Sequence, residues 1–198
     1  MEAVTVTTGG FPVSGSGPLT VRDLEGVPDD GRRYELIDGV LVVSPAPGTR
    51  HQQIVAELLV TLRAADPPDL VVFTAPFAVR HGASTELQPD VLVGRLADFT
   101  DKDLPAPPVL AVEVLSPSTA LIDLNTKKAA YERFGVPSYW VIDPDEVRLT
   151  VFELRDGSYI EITSVTGDQA YDATVPFGVR IVPRDLLGPF AADAPHTR

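Results

Sequence analysis

The sequence predicts an α/β fold: a mixed β-sheet flanked by helices and closed by a C-terminal β-meander. Three observations carry this. Stretches beginning near His51 and Asp123 repeat apolar residues at helical spacing. Short runs rich in Val, Ile and Leu recur between them and after them, as buried strands do. Turn signals, Asp38-Gly39, Asp143-Pro144-Asp145 and Asp156-Gly157, separate those runs.

The elements follow in order. Arg33 to Val43 reads as a hairpin, with Asp38-Gly39 supplying the positive backbone angles of its tight turn and Glu35 inside its first strand. A helix is expected from His51. Thr49 and Gln52 have capping-box spacing, and Ile54, Val55, Leu58, Leu59 and Leu62 share one face with His51. Leu70 to Val79, Pro89 to Gly94 and Val109 to Ser116 have strand composition, and the loops between them are too short for crossover helices. They predict a largely antiparallel, buried sheet. A second helix should run from about Asp123 to Phe134 and stop at Gly135. Strands then follow at Ser138 to Ile142, Val147 to Leu154, Ser158 to Val165 and near Val179 to Val182.

At 198 residues, 44% hydrophobic and 22% charged, the chain suits one domain with a full core. Residues 19–188 form that expected domain, restriction to it following from the flanks: 1–18 lack any helical or strand period and 189–198 are short and polar, so both read as flexible. No run approaches the roughly 18 unbroken apolar residues of a membrane helix. The first residues also lack the basic start and apolar stretch of a secretory signal, so a cytoplasmic protein is expected. With no cysteine, oxygen and imidazole remain as metal ligands, which favours hard cations.

Folding alone does not explain every charge. Glu113 interrupts the apolar run Val109 to Leu115, where an unpaired carboxylate would cost several kcal/mol. Asp90 opens the preceding strand, so the two carboxylates can converge at one end of the sheet. Placing helical residues 100° apart puts Leu124, Lys127, Tyr131 and Phe134 on one inward stripe, with Asp123 near its edge. Lys128 falls at the opposite margin and can reach solvent. Two strand carboxylates and a helix lysine suit phosphodiester hydrolysis: Mg²⁺ stabilises charge on the phosphate, and the amine orients or deprotonates a water. A Lys127–Glu113 ion pair that only fixes packing explains the same residues. His51 reads as supporting the site from behind its ligands, and Asp123 as a helix cap or a contact of Lys127. Tyr131, Tyr139 and Trp140 read as core aromatics.

These pieces together resemble the Uma family of "putative restriction endonucleases". The resemblance rests on Tyr34 to Gly39, Ser44-Pro45, His51, Pro89-Asp90, Glu113 to Thr119, Asp123 with Lys127 and Tyr131, Gly135-Val136 and Tyr139-Trp140. That family belongs to the PD-(D/E)XK nuclease superfamily. The resemblance implies a restriction-endonuclease-like fold and a metal-dependent endonuclease acting on DNA. It implies Mg²⁺, with Mn²⁺ as a substitute, held by Asp90, Glu113 and the backbone carbonyl of Val114. It also implies Lys127 on the water, Glu35 as a further acidic catalytic residue, and a homodimer. The sequence departs from the superfamily's simplest motif at Leu115, where lysine would stand; the helix lysine matches the family's relocated amine.

The net charge of −12 works against this expectation, because proteins that grip DNA electrostatically carry basic surfaces. DNA binding is therefore expected to be weak, salt-sensitive and metal-dependent. A nuclease-fold binding or regulatory module is the second function class, and a metal-free sugar hydrolase using Asp90 and Glu113 the third. An amine beside the carboxylate pair argues against the last.

Overall fold

The computed structural model describes residues 5–7 and 18–193. The chain runs β1 (Thr5–Thr7), β2 (Arg33–Ile37), β3 (Val40–Ser44), α1 (Thr49–Arg63), β4 (Leu70–Thr74), β5 (Ala78–His81), β6 (Thr85–Leu87), β7 (Val91–Arg95), β8 (Asp103–Leu104), β9 (Leu110–Val114), a π-helical turn (Ile122–Lys127), α2 (Lys128–Phe134), β10 (Ser138–Asp143), β11 (Arg148–Arg155), β12 (Ser158–Thr166), β13 (Tyr171–Ala173) and β14 (Val179–Ile181). A 3-10 segment, Asp185–Asp193, follows β14.

The central sheet has the order β12-β11-β10-β9-β7-β4. It is mixed: β9 and β10 are parallel, joined through α2, while the other neighbours are antiparallel. A second sheet, β1-β3-β2-β6-β5-β8, is built on the Asp38-Gly39 hairpin, where Asp38 has φ 52° and Gly39 φ 80°. β13 and β14 pair separately.

Strand alternation divides the core. Leu110, Val112 and Val114 of β9, with Trp140 and Ile142 of β10, pack against Ile54, Leu58 and Leu62 of α1 and against Leu186 and Leu187. The opposite face presents Ala111, Tyr139, Val141 and Phe152 to Ala130 and Tyr131 of α2 and to Ile37 and Val42 of the second sheet. Glu113 shares the parity of Ala111, so it points at α2. The period that makes β9 a strand thus also aims its one charge.

Several expectations change. The helix at His51 starts at Thr49, its cap is Gly48, and no side chain makes a capping bond, so the Thr49–Gln52 capping box does not form. The run Leu70 to Val79 is two strands in different sheets, broken at Ala75-Pro76, whose proline cannot donate to a ladder. Thr5–Thr7, inside the stretch read as flexible, pairs with Leu41–Val43. Residues 189–193, read as flexible tail, belong to the Asp185–Asp193 segment that packs on α1. The rest of those two flanks, 1–4, 8–17 and 194–198, lies outside the described residues. Short strands β6, β8 and β13 were not anticipated. Among the described residues, no helix is long and apolar enough to cross a membrane.

Candidate active site

The site forms where β2 of one sheet meets the β7 and β9 ends of the other, beneath α2. Period-two geometry on β2 places Arg33 and Glu35 on the same side. Glu35 is fully buried, and its Oε1 accepts the Gln88 backbone N–H at 2.8 Å. Asp90 precedes β7. Its Oδ1 accepts from Arg33 Nη1 at 2.8 Å, and its Oδ2 accepts the Val114 N–H at 2.8 Å and lies 3.0 Å from His51 Nε2. Glu113 Oε1 accepts from Lys127 Nζ at 3.2 Å and from the Tyr131 hydroxyl at 2.8 Å. Both bonds fall on one oxygen, which leaves Oε2 for another partner.

Lys127 is the hub. Its Nζ is 2.9 Å from Glu35 Oε2, 3.2 Å from Glu113 Oε1 and 3.5 Å from Asp123 Oδ1. Only the Glu113 contact has hydrogen-bond geometry; Glu35 Oε2 and Asp123 Oδ1 are buried without a hydrogen-bond partner among the described residues, each within ion-pair distance of the amine. The π-helical turn explains how one short segment supplies both Asp123 and Lys127. Its i→i+5 spacing widens the backbone and turns Asp123 inward with Lys127, each about 2–3% exposed, while Leu124 is left 40% exposed. Two expectations are thereby corrected: Leu124 is off the inward stripe, and Asp123 caps no helix but sits in the cluster. Tyr139 fixes the turn by donating to the Asp123 carbonyl at 2.9 Å.

Electrostatics follow from this packing. Burial pushes Glu113 well above the usual carboxylate range; Lys127 opposes that, while Asp90, Asp123 and Glu35 reinforce it. Burial likewise raises Asp123, against the pull of Lys127 and Thr119. Asp90 is the opposite case. Burial would raise it, but the His51 hydrogen bond and the charges of Arg33, His51 and Lys127 hold it well below its ordinary value. For Lys127, burial is outweighed by Glu113, Glu35 and Asp123, so its amine is held protonated. A lysine of depressed pKa, one of the options for activating a water, is not what this arrangement provides. Lys127 is a donor.

Of the residues expected from sequence, Glu35, Asp90, Glu113, Asp123 and Lys127 are brought into one cluster, with His51 on Asp90. Lys128 is half-buried and places its ammonium over the Phe152 ring, 3.8 Å from the centroid. Tyr131 is a core aromatic as expected, and in addition a donor to Glu113. Arg33 was missed. The available signal was its position two residues before Glu35 on one strand, which places both side chains on the same side.

A cleft of about 240 Å³ reaches the cluster, lined among others by Arg33, His51, Asp90, Glu113, Asp123 and Lys127. Four carboxyl groups, Glu35, Asp90, Glu113 and Asp123, are gathered around Lys127, Arg33 and His51. The oxygen-rich donor set suits a hard divalent cation. Among the described residues, no three His, Asp or Glu side chains are spaced to hold an ion together. Asp90, Glu113 and Val114 all line the cleft, while Glu35 and Asp123 are held on Lys127.

A mixed sheet flanked by helices, with these carboxylates at adjoining strand ends against a helix lysine, defines a protein of restriction-endonuclease-like fold. The chain belongs to the Uma2 family, described as "Putative restriction endonuclease", whose model matches residues 21–183. Its fold is similar to the crystal structure of a "putative nuclease" from Anabaena variabilis ATCC 29413. That similarity has a TM-score of 0.66 at 20% identity, covering 86% of this chain and 98% of the other. No curated protein matches the chain.

Proposed function

We propose that the protein is a Mg²⁺-dependent endonuclease, with Mn²⁺ as a substitute, that hydrolyses DNA phosphodiester bonds. The observation that carries this is Lys127 Nζ, buried between Glu35, Glu113 and Asp123 at the floor of a cleft that Asp90 also lines. Family membership and the nuclease-like fold support it.

Asp90, Glu113 and the Val114 carbonyl would hold the cation, which when bound stabilises charge on the phosphate and acidifies a water. The chain's own groups do the rest. The Val114 N–H and His51 fix the orientation of Asp90. Tyr131 fixes Glu113. Lys127, protonated and locked by its acidic neighbours, donates a hydrogen bond to the water and holds it in line. Arg33 Nη1 donates to Asp90 Oδ1 and to the Gln88 carbonyl, so it would compete with a cation for that carboxylate oxygen, and, lining the cleft, it would offer donors to a phosphate there.

Arg33→Gln is accordingly expected to tighten Mg²⁺ binding about tenfold in a calorimetric titration, equivalent to ~1.4 kcal/mol, while slowing DNA cutting. Weaker Mg²⁺ binding by this variant would mean that Arg33 serves to position Asp90. Chelator-sensitive cutting of DNA by the purified protein tests the activity itself. A homodimer, which suits cutting two strands, and a cytoplasmic setting complete the proposal.

A second reading, a nuclease-fold binding or regulatory module that does not cut alone, is favoured by the net charge of −12. It expects metal binding without cleavage.

A further inference from the structure

Beside the catalytic cleft lies a larger cavity of about 510 Å³. The two share Arg33, His51, Asp90 and the Pro45–Pro47 loop, so a group held at the carboxylates has its neighbour in the larger space. The chemistry of the two differs. The small cleft is ionic. Beyond the shared residues, the large one combines apolar Leu24, Pro28, Val55 and Pro76 with the amides Gln52 and Gln88, and carries charge at Asp29, Arg32 and Glu86. Its volume falls in the range of roughly 300–1,000 Å³ typical of small-molecule sites, and apolar walls with a few convergent polar groups are their usual lining.

We propose that this cavity receives an unpaired nucleobase of the DNA strand whose phosphate lies at the carboxylate cluster; the inference rests on the endonuclease reading. Apolar walls accept the faces of a base, and primary amides match the paired donors and acceptors of its edge. Gln88 Nε2 spends one bond on the Tyr34 carbonyl at 3.3 Å, which leaves the amide a further donor and its acceptor oxygen. Charge points the same way. With a net charge of −12, the chain gains little from neutralising phosphates, so a base contact supplies affinity that the backbone contact does not. A base enters such a cavity only out of the stack, and unstacking costs least in a strand that is already single. The substrate class is therefore single-stranded DNA, or duplex with an unpaired nucleotide at the cut.

The test is equilibrium binding of a labelled single-stranded decamer, with Ca²⁺ in place of Mg²⁺, using a set of decamers in which one abasic site is moved along the strand. Val55→Trp and Gln52→Trp fill the cavity from α1; Gln52 is solvent-exposed, so that variant keeps the core intact. An abasic site at one position is expected to weaken binding about tenfold, the scale of one base contact. Both filled variants are expected to lose a similar factor and to ignore the abasic site. Binding that is blind to abasic sites in the wild type, filled variants that bind as the wild type does, or no bound decamer at all would overturn the proposal. Position-dependent binding with no cutting in Mg²⁺ keeps the base site and removes the endonuclease reading; cutting with abasic-blind binding does the reverse.

Discussion

Lys127→Met is expected to abolish DNA cutting, by about 100-fold or more, and to destabilise the fold by about 3–5 kcal/mol. The methionine keeps most of the volume but removes the cation that, among the described residues, contacts Glu35, Glu113 and Asp123 together. Three carboxyl groups, each almost fully buried, then face one another without compensation. For a chain of this size the loss corresponds to a fall in Tm of roughly 10 °C. The sign of its pH dependence is fixed. Without Lys127 the folded state binds protons more tightly than the unfolded one, so the variant regains stability as pH falls toward the ordinary carboxylate values. Thermal denaturation across the acid range measures this, and a pH-independent deficit would show that packing of the lysine stem, not its charge, was lost.

Glu113→Gln is expected to move stability and function in opposite directions. Cutting and Mg²⁺ binding should fall below detection, because a proposed ligand loses its charge. The metal-free fold should become more stable at neutral pH, because the raised carboxyl is a cost that glutamine does not carry. Burial, with Asp90, Asp123 and Glu35 close by, raises the folded-state pKa of Glu113 above its ordinary 4.5. A carboxyl so raised costs the folded state stability at every pH above its unfolded value, and glutamine removes that cost while still accepting from Tyr131. The gain should therefore vanish below about pH 4, near the ordinary carboxylate pKa. Denaturant midpoints of both proteins in chelator at two pH values decide it. A destabilised variant at neutral pH would mean that the Lys127–Glu113 pair is structural in net effect, the alternative that the sequence left open.

The parts of this site that sequence revealed are those where charge contradicts period. Glu113 stands in an apolar strand and Lys127 on an apolar helical face, and both conflicts are visible without coordinates. Arg33 raised no such conflict, because an arginine at a strand end is ordinarily solvated; only the packing of one sheet on the other carries it to Asp90. The turn at Asp38-Gly39 and the stop at Gly135, with φ 81°, were legible because each needs a backbone angle that glycine favours. The π-helical turn was not. A uniform 100° step assigns Leu124 inward, and nothing in residues 122–127 marks the extra backbone width that brings Asp123 in instead. The break at Ala75-Pro76 was masked by strand-like residues on both sides of a proline whose effect depends on sheet partners.

Whether Asp90, Glu113 and Lys127 act as one metal-dependent phosphodiester site is decided by cleavage of DNA by the purified protein. Supercoiled plasmid and a single-stranded circle would be incubated with Mg²⁺, Mn²⁺ or chelator, alongside Asp90→Asn, Glu113→Gln and Lys127→Met. Wild-type protein is expected to nick at least one substrate with either metal and neither with chelator, and none of the three variants is expected to nick. Wild-type protein that binds Mg²⁺ yet leaves both substrates intact, or cutting that survives in the variants, would contradict that expectation.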